Sequence, residues 1–191
     1  MAKRLVVVIG SPGAGKSSVI DSMQGSGYKL INLGDVMLDI AMKKKLAKNR
    51  DKMRYLDSET QAEIRDLAIK RIAKLDGKVV LGTHATVEQH GRFFPGLSHY
   101  VITHLGHING LFYIDATTSD IMSRRKKDKN RKRELESAWT IDTQRSINLA
   151  IASYLSSDLN IPLYIIHNKE GQLNKTIRVF RSQLKDAFGE K

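Results

Sequence analysis

The chain alternates short, near-continuous apolar runs with longer stretches in which apolar residues recur every three or four positions. Arg4–Ile9, Tyr28–Leu33, Lys78–Thr83, Gly110–Ala116 and Ile161–His167 read as strands. They are rich in Val, Ile and Leu with little polar alternation, as parallel strands covered on both faces should be. Between them the spacing predicts helices over Gly15–Gln24, Asp35–Leu46, Ser58–Leu75 and Asp142–Leu155. A last helix carries Leu173, Ile177, Phe180 and Leu184. In the third helix Ile64, Leu67, Ala68, Ile72 and Leu75 share a face, and Ser58 with Gln61 is placed as a capping box. Strand alternating with helix predicts an α/β fold, a five-stranded parallel sheet flanked by helices. No repeat or Pro/Gly/Ser-rich linker interrupts the pattern, and 191 residues suit one domain spanning 1–191.

Charge and composition sharpen this picture. The apolar start resembles a signal peptide, but it is short and leads into a glycine loop, so it reads as a buried strand. No stretch is long and apolar enough for a transmembrane helix. The absence of cysteine excludes disulfides and thiolate zinc sites. A cytoplasmic location without membrane contact is the resulting expectation. The formal charge of +12 favours polyanionic partners. Arg124 to Arg133 reads RRKKDKNRKR, which on charge alone is either a solvated, self-repelling segment or a phosphate-binding one. It is too short for a domain boundary and reads as a mobile insertion, a basic lid at about 124–136.

The residues with the most specific chemistry are Gly10, Ser11, Pro12, Gly13, Ala14, Gly15, Lys16 and Ser17, with Ser18 following in the same turn. They match G-x-x-x-x-G-K-[ST] between a predicted strand and a predicted helix, the context of a P-loop. Glycines let the backbone turn its N–H groups toward phosphate oxygens, and the helix start adds partial positive charge. Lys16 is expected to reach the β- and γ-phosphates, and the Ser17 hydroxyl to ligate Mg²⁺. A P-loop alone serves GTPases, motor ATPases and small kinases. The short chain and the arginine-rich insertion favour a kinase, because phosphoryl transfer needs charge neutralised and water excluded. Arg124, Arg125, Arg131 and Arg133 could fork onto phosphates, while the lysines between them stay solvated.

Over nearly its whole length the sequence resembles the archaeal adenylate kinases. The resemblance is carried by the P-loop, Asn32–Met37, Arg50–Asp57, Thr83–Val87, Pro95–Leu97, the arginine-bracketed insertion and Asn168–Gly171. It implies Mg²⁺-dependent, reversible transfer of a phosphoryl group from ATP to AMP, giving two ADP. It further implies that Gly34 and Asp35 line the AMP pocket, with Asp35 approaching Mg²⁺ beside Ser17. Arg54 would take the AMP phosphate, and Thr83, His84 and Thr86 would face the nucleotide crevice. Lys16, Arg124, Arg131, Arg133 and Arg145 would neutralise the transferring group, with no catalytic base required.

Plainer roles compete at several positions. Asp35 could cap a helix, Arg54 could pair with Asp51 or Asp57, and His84 could be a hydrogen-bonded strand-end residue. His99, His104 and His107 read as loop residues because their spacing fits no common zinc pattern. Trp139 reads as packing rather than base stacking. Two departures from the family stand out. Gly82 occupies a position where an aspartate helps hold waters around Mg²⁺, leaving Asp35 to carry more of that task. Asn148 lies near a position that tends to be an arginine contacting phosphates, and Arg145, on roughly the same helix face, is expected to substitute. Competing functions are a nucleic-acid-associated P-loop ATPase or assembly factor, and a kinase of another nucleoside monophosphate. No RNA-binding motif is present and aromatics are 6 %, which argues against nucleic acid. The sequence leaves oligomeric state open, including a homo-oligomer.

Overall fold

The computed structural model describes residues 4–89, 91–127 and 137–190. Along the chain these form β1 (Arg4–Ile9), α1 (Lys16–Asp21), β2 (Lys29–Asn32), α2 (Leu33–Lys43), α3 (Arg50–Arg54), α4 (Ser58–Ala73) and β3 (Lys78–Gly82). A hairpin of β4 (Thr86–Gln89) and β5 (Arg92–Pro95) follows, then α5 (His99–His104), β6 (Gly110–Asp115), α6 (Thr118–Lys127), α7 (Ala138–Leu159), β7 (Leu163–His167) and α8 (Leu173–Ala187). The main sheet is parallel, in the order β2-β3-β1-β6-β7. The five predicted strands are therefore present, each within two residues of its expected ends.

β1 is central, and Leu5 to Ile9 are completely buried. Successive side chains of a strand face opposite sides. Leu5, Val7 and Ile9 enter a layer built with Ile69 and Ile72 of α4, Val101 of α5 and Leu155 of α7. Val6 and Val8 enter the other, with Val19 and Ile20 of α1 and Phe180 and Leu184 of α8. Connections run to opposite sides of β1, through β3 and then β6, so a crevice opens at its carboxyl end, where doubly wound sheets bind ligands.

Several local expectations need correction. α4 is capped by Asp57, whose carboxylate accepts the Thr60 N–H at 2.8 Å, not by Ser58. Gln61 instead donates to the Leu56 carbonyl at 2.7 Å. Asp35 is not the cap of α2, since Asn32 accepts the Gly34 N–H and Asp35 lies within the first turn. His99 and His104 lie on a short helix rather than a loop, and no group of three metal-ligating side chains occurs among the described residues. Arg124–Lys127 is not loose insertion but the last turn of α6, while residues 128–136 lie outside the described ones. Trp139 does not pack, being 72 % exposed. The hairpin, α3 and α5 are too short to announce themselves by periodicity.

Candidate active site

The loop between β1 and α1 turns at Gly13 and Gly15, with φ of 93° and 91°, a region that disfavours side chains. Every carbonyl from Gly10 to Gly15 accepts a hydrogen bond. Gly10 accepts from the His84 ring at 3.4 Å. Ser11 accepts from the Ala14 N–H at 3.0 Å. Pro12 accepts both Nε and Nη2 of Arg125, at 3.0 and 2.7 Å. Arg124 Nη1 donates to Gly13 and Ala14 at 3.4 and 3.2 Å, and Ala14 also accepts from Asn168 Nδ2 at 2.8 Å. Gly15 accepts the Val19 N–H of α1.

The carbonyl and N–H of a peptide point in opposite directions. Holding the carbonyls outward therefore keeps N–H groups inward, and those of Gly13 and Gly15 donate to nothing among the described residues. The loop is preorganised for an anion without relying on the anion to shape it. Lys16 is 6 % exposed at the start of α1. Ser17 and Ser18 are exposed in the same turn.

Position 148 is explained by the same bracing. Asn148, 1 % exposed, donates from Nδ2 to Ser11 Oγ at 3.1 Å and accepts the Thr86 hydroxyl at 2.7 Å. It ties the loop to the β4–β5 hairpin. Arg145, one turn earlier, is engaged elsewhere. It grips Asp115 with Nε and Nη2, both at 2.9 Å, and bonds Asp142 at 3.0 Å. The Asp115 hydrogen bonds raise its pKa further above the ordinary arginine range. Beside it, burial and then Asp115 push the Tyr113 hydroxyl well above its ordinary value.

The other side of the crevice is looser. Asp35 pairs with Arg50, which also reaches Asn32 Oδ1 at 3.3 Å. Arg50 was not among the expected site residues, and its neighbour Gly34 leaves a gap that the guanidinium covers: a Cβ there would lie 3.3 Å from Arg50 Cζ. Arg54 ends α3, its side chain lying outside the described ones together with Arg131 and Arg133. Thr83 is buried and its N–H donates to Val8. The Thr86 hydroxyl is spent on Asn148. Most of the expected residues thus divide into a braced loop (10–18, His84, Thr86, Arg124) and a looser rim of Gly34, Asp35 and the backbone of Arg54.

Arg125 was expected to fork onto phosphate but braces the loop at the Pro12 carbonyl instead, and Asn168 is a bracing residue that the sequence gave no role. Arg125 is 8 % exposed, its guanidinium turned onto the loop backbone. Asn168 was visible only as a matched segment.

Gly82 ends β3 beside the loop. A Cβ there would lie 3.7 Å from Lys16 Nζ and 2.8 Å from the tip of Ile20. The strand end accepts a small side chain once Ile20 shifts.

Known proteins share the sequence and the fold. A family model described as an AAA domain matches residues 9–142. An adenylate kinase of Methanothermobacter thermautotrophicus is 34 % identical over 95 % of this chain and 99 % of its own. That of Pyrococcus horikoshii is 33 % identical over 95 % and 97 %, and that of Methanocaldococcus jannaschii 31 % over 97 % and 100 %. Among solved structures the fold is shared with Thermus thermophilus TT1252 (TM-score 0.57, 13 % identity, 97 % of this chain and 98 % of that one). It is shared also with a gluconokinase of Sinorhizobium meliloti (TM-score 0.54, 16 % identity, 95 % and 91 %). A braced P-loop at the centre of a parallel sheet, and relatives matching from end to end, place this chain in the archaeal-type adenylate kinase family.

Proposed function

We propose that the protein transfers the γ-phosphoryl group of ATP to AMP. A phosphate oxygen of AMP bonds to the γ-phosphorus as the bond to the β–γ bridging oxygen breaks, and two ADP result. The observation that carries this reading is the loop whose outward carbonyls are all satisfied, facing a looser rim at Gly34, Asp35 and Arg54. One side is built for a polyphosphate and the other for a second anion. Lys16 and the inward N–H groups hold the β- and γ-phosphates of the donor. Asp35 and Arg54 line the acceptor side. Arg145 balances charge from the far wall, and Arg131 and Arg133 close over the transferring group. Arg124 acts through the loop it supports and through its own positive charge.

Mg²⁺ fits the residues present. The Ser17 hydroxyl is exposed and makes no hydrogen bond among the described residues, and Mg²⁺ at nucleotide sites commonly takes one or two protein ligands with phosphates and water. Ser17 would hold it, with Asp35 next, once released from Arg50. The ion supplies neutralisation of phosphate charge.

A phosphotransfer screen of ATP with Mg²⁺ against AMP, GMP, CMP, UMP and water tests the reading. AMP-dependent formation of two ADP supports it. Preference for another monophosphate reassigns the acceptor, and acceptor-independent hydrolysis stimulated by RNA overturns it in favour of a nucleic-acid-associated ATPase.

A further inference from the structure

The last helix, α8, carries its cations in a row. Asn174, Arg178, Arg181 and Lys185 follow one another at spacings of four, three and four, which stacks them on one face. All are exposed, and Lys175 flanks the row. The opposite face is spent on the core, where Phe180 and Leu184 are fully buried in the layer of Val6 and Val8. The start of α8 lies near the phosphate loop: Thr176 donates to Asn168 Oδ1 at 3.1 Å, and Asn168 holds the Ala14 carbonyl. Its end lies at the amino end of β1, where Arg4 donates to the Phe188 carbonyl at 2.6 Å. The row therefore runs away from the crevice, toward the far end of the sheet.

Elsewhere on the surface cations meet acids: Lys43 pairs with Asp39, Lys44 with Glu63 and Lys70 with Asp66. On α8 the nearby acids are taken by other groups. Asp186 accepts the Tyr164 hydroxyl at 2.7 Å. Glu190 accepts the Tyr28 hydroxyl at 2.8 Å and pairs with Lys78 at 2.6 Å. Lys175, Arg178, Arg181 and Lys185 make no hydrogen bond or ion pair among the described residues, and Arg181 and Lys185 feel Tyr28 and Glu190 only at a distance. Like charges one turn apart destabilise a helix, and Lys175 opposes the dipole in a first turn that holds no acid. The row costs the fold free energy and is left to an external anion.

Its shape and surroundings decide which anion. Arg178 and Lys185 are about 10 Å apart along the axis at about 1.5 Å per residue, enough for about three phosphates of one duplex strand at about 3.4 Å each. The face adds Asn174 and Ser182 but no aromatic ring, so it does not stack unpaired bases. Its apolar side is buried, so the helix does not sink into a bilayer as amphipathic surface helices do. We propose that the outer face of α8 binds the phosphate backbone of duplex nucleic acid, whatever its sequence, through Arg178, Arg181 and Lys185 with Lys175 beside them. Such contacts need neither a recognition motif nor an aromatic surface. They hold the protein on nucleic acid and leave the crevice open.

Fluorescence anisotropy of labelled RNA and DNA duplexes of mixed sequence, titrated with the full chain at several salt concentrations, tests this. The wild type should bind either duplex with a Kd of about 1–100 μM near physiological salt. The triple variant Arg178→Gln, Arg181→Gln, Lys185→Gln should bind roughly 10–100-fold more weakly, and its slope of log K against log salt should be shallower by about 2–3. Its melting temperature should hold or rise, and its nucleotide turnover should match the wild type. A charge-matched control, Lys43→Gln, Lys44→Gln, Lys70→Gln, should lose far less affinity. Equal weakening in both variants would make the binding a matter of net charge and overturn the proposal. So would unchanged binding in the row variant, or a wild type that binds neither duplex. Sedimentation with phosphatidylserine vesicles covers the other polyanion: capture that depends on the row, without duplex binding, would make α8 a membrane contact instead.

Discussion

The two sides of the crevice are built on opposite plans. On the side proposed for the donor, buried and partly buried polar groups from four distant elements converge on the loop. His84 comes from the end of β3, Arg124 and Arg125 from α6, Asn148 from α7 and Asn168 from the end of β7. On the side proposed for the acceptor, the contacts are surface ion pairs such as Asp35 with Arg50 and Asp39 with Arg71. Surface pairs contribute little and exchange readily with water or ligand, whereas a buried network holds one geometry. The contrast teaches that one half is shaped before the nucleotide arrives and the other is completed by it.

The comparison breaks most visibly at Lys16. Lys16→Ala should reduce kcat/KM by roughly 1000-fold or more while leaving the melting temperature near that of the wild type, by analogy with removing a preorganised charge-stabilising donor. Turnover close to normal would mean that the loop is not the phosphate site.

Arg125→Ala asks whether the bracing matters in its own right. It leaves the Pro12 carbonyl without its two-pronged partner. A loss of roughly 10–100-fold in kcat/KM for ATP is expected, with AMP affinity intact, since a displaced positioning group can cost this much. Arg125→Lys should recover little, because a single ammonium cannot reproduce the fork. Titration of each variant with ATP and AMP separately checks both statements.

Asp35→Asn releases Arg50 on the looser side. KM for AMP should change several-fold in either direction, about 1 kcal/mol at most for an exposed pair, and KM for ATP should not. If Asp35 serves Mg²⁺ as well, the same variant shifts the magnesium titration upward.

Gly82→Asp places a carboxylate beside Lys16 Nζ after Ile20 moves aside. The Mg²⁺ concentration for half-maximal rate should fall by about two- to five-fold, the modest effect of a group that orients metal-bound water. Coincident titrations of wild type and variant would leave Gly82 a tolerated substitution. The smallest effect is expected at Trp139, whose exposed ring makes Trp139→Ala worth within about 0.5 kcal/mol of stability by chemical denaturation.

How much of this could be read in advance depends on the range of the interaction that fixes each feature. Strands, long helices and the P-loop are local. Near-continuous Val, Ile and Leu leave few alternatives to a buried parallel strand, and glycines at 10, 13 and 15 with Lys16 and Ser17 carry their geometry in their own backbone. Resemblance added the acceptor segments, though it supplied the position of Arg54 and not its surroundings. Tertiary structure alone decided which cations are ligands and which are braces. Arg124 and Arg125 sit in one basic run with Lys126 and Lys127, yet the arginines reach loop carbonyls about a hundred residues away in sequence, while Lys127 meets Glu170 at the surface. Asn148 looked like a missing arginine until folding set it between Ser11 and Thr86. Periodicity reports which face of an element is covered, but the partner of a long polar side chain is chosen by whatever the chain brings there from elsewhere.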